Sequence, residues 1–201
     1  IIWLAGLNIK YFVYSGLLLI VSLPFAVSLL KPYQKSRILT FFNPDRDPLG
    51  AGYQIIQSKI AIGSGGFFGK GFLKGTQSYL EFLPEKHTDF IFTLFSEEFG
   101  FLGSIILLLL YILLIYRIIS IGFYAKSFFS KLFCFGFASA IFLYIFVNIS
   151  MVLGLLPIVG APLPIMSYGG SSMLSIMLGL SIVMSCKIYC LLYTTDAADD
   201  W

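Results

Sequence analysis

The residues best equipped for chemistry crowd one short stretch of this chain. Glu81, Glu85, Lys86, His87, Thr88 and Asp89 precede a long apolar run, although only 11% of the 201 residues are charged and His87 is the one histidine. An ionisable cluster at such a place is a candidate for catalysis. Asp89 also has a good structural account, because an aspartate where a helix begins caps its orphan N–H groups and complements its positive end. His87 likewise reads as an interfacial histidine satisfied by a carbonyl. Glu97 and Glu98 follow about two turns into the run, where carboxylates are costly in lipid and should face a polar cavity or reach the interface. Asn148, Ser150, Ser167, Tyr168 and Ser171 add polar groups at similar depth, which cavity lining and close helix packing explain about equally well.

Gly63-Ser64-Gly65-Gly66-Phe67-Phe68-Gly69-Lys70-Gly71 invites a phosphate-loop reading, since glycines let backbone amides approach an anion. The spacing excludes a nucleotide loop: Ser64 stands where the first glycine belongs, and Gly71 replaces the Ser or Thr after the lysine. What survives is a turn that, with Lys59, Lys70, Lys74 and Lys86, could hold a lipid-linked pyrophosphate through amides and point charges; solvated loop lysines are the alternative. Ahead of it a short amphipathic helix is expected over Tyr53 to Ile60. Ile55, Ile56 and Ile60 can share one face, and Gln54, Gln57 and Ser58 point elsewhere, which suits a helix lying on the membrane or on the bundle top. Asn43-Pro44-Asp45-Arg46-Asp47-Pro48-Leu49-Gly50 reads as a rigid turn.

The elements that must position these groups are membrane spans. Hydrophobic residues make up 58% of the chain and mean hydropathy is +0.92, values that only lipid as solvent accommodates. A net charge of +3 without a basic stripe excludes nucleic acid as a partner. Cys134, Cys186 and Cys190 have neither metal-site nor disulfide-framework spacing and read as small core residues. Four runs reach the ~20 residues that a spanning helix needs: 11–30, 90–119, 132–156 and 171–189. Glu98 and Arg117 stand about 28 Å apart along the second, one hydrocarbon thickness, and Pro24 should kink the first. Arg117, Lys126 and Lys131 mark the short loop after the second span as cytoplasmic, whereas Pro157 to Tyr168 carries no charge. Alternation then puts Lys10, Lys187 and the C-terminus inside, and 31–89 outside as one large extracytoplasmic loop. The opening Ile1 to Leu7 looks like the end of a further helix, so the chain is expected to be truncated at its start. Leu191 to Trp201 resembles the translation of a sequencing adapter and is expected to be a non-native tail, leaving 1–190 as a single membrane domain.

Together these motifs identify a relationship. The Asn43 to Gly50 turn, Gln57-Ser58 with Gly63 to Gly66, Leu83-Pro84-Glu85-Lys86-His87-Thr88-Asp89-Phe90, Glu97-Glu98-Phe99-Gly100, and Pro162-Leu163-Pro164 with Ser167-Tyr168-Gly169-Gly170-Ser171 resemble the SEDS family, the RodA, FtsW and SpoVE proteins. Gly75-Thr76-Gln77 leading to Glu81 to Glu85 is most like RodA, the elongation member. The resemblance covers everything but the tail. It implies an all-α integral membrane protein, a polytopic ten-helix bundle of which these would be the last four helices, in the bacterial plasma membrane. It implies a peptidoglycan glycosyltransferase that polymerises lipid II on the outer face during cell elongation and rod-shape maintenance, and a class B penicillin-binding protein as partner within the rod-shape complex.

The family's essential outer-loop aspartate corresponds to Asp89. Turning an α-linked pyrophosphate into a β-1,4 glycosidic bond inverts the anomeric centre, which one displacement achieves with one general base, here Asp89. From the residues themselves, substrate contacts are expected from Gln57, Ser58, Lys59, Lys70, Lys74, Glu85, Lys86, His87 and Thr88, with Glu97, Glu98, Asn148, Ser167, Tyr168 and Ser171 lining the cavity. The leaving pyrophosphate needs charge neutralisation, a role open to lysines or a divalent cation; no metal ligands and no cofactor are assigned. A lipid II flippase and a scaffold for the crosslinking enzyme are the rival functions.

Overall fold

The computed structural model describes residues 9–29, 31–42, 50–75 and 88–196, and among these the chain is all-α. The helices are α1 (Ile9–Leu29), α2 (Pro32–Phe42), α3 (Ala51–Gly65), α4 (Ile91–Tyr124), α5 (Phe128–Val152) and α6 (Gly170–Asp196). Among the described residues three are long and apolar enough to cross a membrane: α4, α5 and Gly170–Ile188 of α6. α1 coincides with the first expected span, but its described apolar stretch, Val13–Ser22, is shorter. Leu109, Leu110, Ile112 and Leu113 on α4, with Phe142 and Leu143 on α5, are each more than half exposed. Such a surface is stable only against lipid.

A short turn joins α4 to α5, so the two run antiparallel and form the main packing pair. At one end Gly122 lies against Cys134, and the ring of Phe123 meets Phe135 edge-on at 5.1 Å. Tyr111, Ile118, Ala138, Ile141 and Ile145 fill the seam between them. α6 comes close through Gly179, which seats the ring of Phe137, and buries Val183. Small residues thus admit close helix approach.

Two expected spans change shape. α5 ends at Val152 rather than 156, because Gly154 takes a left-handed φ of 69° and closes a Schellman motif, Gly154 N–H bonding Met151 O at 3.0 Å and Leu155 N–H bonding Ser150 O at 2.7 Å. α4 is not one continuous rod: Gly100, at φ 68° and ψ −163°, interrupts it in a region essentially reserved for glycine. The polar stretch Ile91 to Phe99 is therefore a short helix separate from the span that follows.

The amphipathic helix exists as α3, and its three isoleucines do not share one environment. Ile55, Ser58, Ala61 and Gly65 are buried, whereas Ile56 and Ile60 are exposed. Closeness explains this, since α3 lies against α4 with Gly65 directly over the backbone of Ser96 and Glu97, where only small residues fit. The expected turn at Asn43 to Gly50 falls outside the described residues except for Gly50, the N-cap position of α3.

Candidate active site

Asp89 lies in the turn that opens α4, half-buried, between half-buried Thr88 and fully buried Phe90. Phe90 occupies the N-cap position, so the expected capping place does not belong to Asp89. The turn is held by its carbonyls. Ser167 Oγ donates to Thr88 O at 2.7 Å, and Asn148 Nδ2 donates to Asp89 O at 2.8 Å and to Ala161 O at 2.6 Å. Asn148 is completely buried at the end of α5, and its single amide ties the turn before α4 to the loop after α5.

That loop, 153–169, lies over the bundle end and carries its own anchors. Tyr111 OH donates to Pro164 O at 2.6 Å, and Arg37 of α2 donates to Ile158 O at 3.0 Å. Leu163 is buried beside them, and Ile165 is held at φ 68°, an uncommon conformation for a β-branched residue that costs about 1–3 kcal/mol. Gly160, at φ 78°, faces the carboxylate: a Cβ there would come within 3.3 Å of Asp89 Oδ2. The carboxylate is thus presented between a fixed turn and a bare stretch of backbone.

The glycine-rich turn is spent differently from an anion cradle. Where Gly100 breaks α4, Phe101 N–H bonds Gly66 O at 3.0 Å and Leu102 N–H bonds Phe67 O at 3.2 Å. The carbonyls that those amides would have met in a continuous helix, Glu97 O and Glu98 O, instead accept from Lys70 N–H at 3.1 Å and Gly71 N–H at 3.0 Å. Lys70 Nζ completes the join with a 2.8 Å ion pair to Glu97 Oε1, whose side chain is fully buried. Gly69 and Gly100 meet so closely that a Cβ on either would strike the other's backbone. Of the amides expected to hold a pyrophosphate, those of Lys70 and Gly71 are satisfied by α4 and those of Gly66 and Gly69 by carbonyls of α3.

Of the remaining candidates, Ser58 is fully buried, its hydroxyl 2.8 Å from Val152 O and 2.9 Å from Ile55 O, a staple between α3 and the end of α5. Lys59 is exposed and runs over Gly154; Lys74 is exposed, Gln57 and Glu98 are half-buried. Glu85, Lys86 and His87 lie outside the described residues. Tyr168 is exposed, while Ser171 lines a pocket of about 240 Å³ with Tyr144, Pro162 and Pro164. Among the described residues no group of three or more His, Cys, Asp or Glu could share a metal ion. Sequence reasoning missed Arg37, Tyr111 and Gly160. Tyr111 did leave a signal, since a phenol within an apolar span needs a partner; nothing in the sequence marked Arg37.

Comparisons with known proteins bear on this geometry. The model of the FtsW, RodA and SpoVE family, described as cell cycle protein, matches residues 1–190. Peptidoglycan glycosyltransferase MrdB of Escherichia coli strain K12 is 57% identical over 157 residues, covering 78% of this chain and 42% of the relative. Peptidoglycan glycosyltransferase RodA of Treponema pallidum strain Nichols is 46% identical over 159 residues, covering 79% and 37%. Stage V sporulation protein E of Bacillus subtilis strain 168 is 40% identical over 190 residues, covering 94% and 51%. A chain solved in work on structural coordination of polymerization and crosslinking by a peptidoglycan synthase complex superposes with a TM-score of 0.70 at 36% identity, covering 90% of this chain and 49% of that one. The chain spans about half the length of these relatives or less.

Proposed function

The chain belongs to the FtsW, RodA and SpoVE family of cell cycle proteins, and from that premise we propose that it forms part of a peptidoglycan glycosyltransferase polymerising lipid II with Asp89 as general base. The observation that carries this reading is the double clamp on the Thr88–Asp89 turn, which holds one carboxylate at the end of a membrane bundle. A base contributes most when it is already in place. The names of two of these relatives, both peptidoglycan glycosyltransferases, support the substrate class.

In this mechanism the acceptor hydroxyl attacks the anomeric carbon of the donor. The new C–O bond forms as the bond to the pyrophosphate oxygen breaks, and the hydroxyl proton passes to Asp89. One displacement inverts the α-linkage to β. Pyrophosphate leaves as an anion, its charge met by exposed lysines such as Lys59 and Lys74 or by a divalent cation. Catalysis takes place on the outer face of the plasma membrane, where 31–89 lies, beside a class B penicillin-binding protein that crosslinks the product. The solved neighbour, from a peptidoglycan synthase complex, supports that partnership.

The experiment uses a full-length chimera in which this chain's matching segment replaces that of Escherichia coli MrdB. Asp89→Asn should abolish glycan formation while the crosslinking partner still co-purifies. Undiminished glycan would favour the scaffold role, and loss of lipid II translocation alone would favour the flippase.

A further inference from the structure

We propose that Lys70 and Glu97, joined across the break in α4, are positioning residues for Asp89; this rests on the reading of Asp89 as the base. The break at Gly100 frees the short helix Ile91 to Phe99 from the direction of the span that follows. The main-chain ladder that would carry the span's orientation to the turn at Asp89 is interrupted, because the Glu97 and Glu98 carbonyls no longer bond the amides of residues 101 and 102, and the 3.0 Å hydrogen bond between Ser96 Oγ and Ser104 Oγ is a single side-chain tie across the break. The segment carrying Asp89 is instead fastened at its two ends. At the upper end Asn148 and Ser167 hold the carbonyls of the turn. At the lower end, eight residues and about 12 Å along the helix, the glycine-rich turn holds Glu97 by main chain and by side chain.

The side-chain contact is what calls for a role beyond stability. Glu97 is fully buried and Lys70 Nζ sits 2.8 Å from its Oε1. A buried ion pair is often no more stabilising than apolar residues of the same volume, and its best-attested use is to fix register. Here the alignment in question is that of the short helix upon the turn. The Gly69–Gly100 contact already fixes which residues of the turn face the break, and Lys70–Glu97 is the side-chain pair that holds the lower end of the short helix at one tilt against it. Without the pair the lower end would shift, tilt the segment, and displace the carboxylate from the acceptor hydroxyl. A displacement of about 1 Å at a reacting group costs on the order of 100-fold in rate.

The test measures kcat, KM for lipid II and Tm in the full-length chimera. Lys70→Met with Glu97→Met, an apolar replacement of the kind buried pairs tolerate, should keep Tm and KM near their starting values and lower kcat about 100-fold. Lys70→Arg, which retains the charge and the N–H donor, should restore most of kcat. Wild-type kcat in the Met pair overturns the proposal, as does a loss of kcat that Lys70→Arg shares in full. Should the Met pair fail to fold, Glu97→Gln, which keeps the volume but removes the charge that holds Lys70, is read instead: a lowered kcat at constant KM supports positioning, and an unchanged kcat overturns it. Asp89→Asn, run in the same assay, separates the two ideas, since activity in that variant would remove the base and leave the ion pair a structural join.

Discussion

A carboxylate can serve as a base only where its reach to the substrate is fixed, and in this chain two neutral side chains do the fixing. Asn148 spends both amide protons on carbonyls, Asp89 O and Ala161 O, in a site with no exposure to solvent. Asn148→Ala leaves both acceptors unmet and should destabilise by about 1–3 kcal/mol. Asn148→Asp should do more harm, because an ionised carboxylate has no proton to donate and would face two carbonyl oxygens. Thermal unfolding in detergent is expected to rank wild type above Asn148→Ala and that above Asn148→Asp; equal stability of the two variants would contradict the hydrogen-bond assignment. Ser167→Ala removes the neighbouring hold on Thr88 O and should lower kcat more than it raises KM for lipid II.

At the scale of elements, the break in α4 depends on a backbone that only glycine adopts comfortably. Gly100→Ala combines a left-handed φ with a collision against the backbone of Phe67 and Gly69 and should cost at least ~1–3 kcal/mol. Gly63→Ala is the control: it lies in regular helix with open space around it and should be neutral or stabilising by up to ~1 kcal/mol. Expression and Tm of the two variants check the contrast, and a harmless Gly100→Ala would mean that α4 runs unbroken. This element also shows where sequence reading stops. The apolar run after Asp89 announced a span, and the helix is there, since hydrophobic length is a local property. An isolated glycine within such a run reads as tolerated, and the strand-like partner that fills the break lies some thirty residues upstream, so neither the interruption nor the join was legible. The same limit hid which residues of α3 pack, since the close approach at Gly65 goes with burial of Ile55, Ser58 and Ala61 and leaves Ile56 and Ile60 exposed.

For the whole molecule, composition alone specified a membrane protein, and the motif set pointed to the family whose model covers residues 1–190. The proposed topology makes a direct prediction: a cysteine at exposed Lys74 should react with an impermeant maleimide in intact cells, and one at exposed Lys126 only after permeabilisation. Reversed labelling would put Asp89 on the wrong side for a polymerase of the outer wall. The central claim concerns the chemical step itself, so the most direct measurement is single-turnover lipid II consumption by the full-length chimera at saturating substrate. Asp89→Asn should reduce that rate about 100- to 10,000-fold with lipid II affinity unchanged, whereas a rate within a few-fold of wild type would show that Asp89 is not the base.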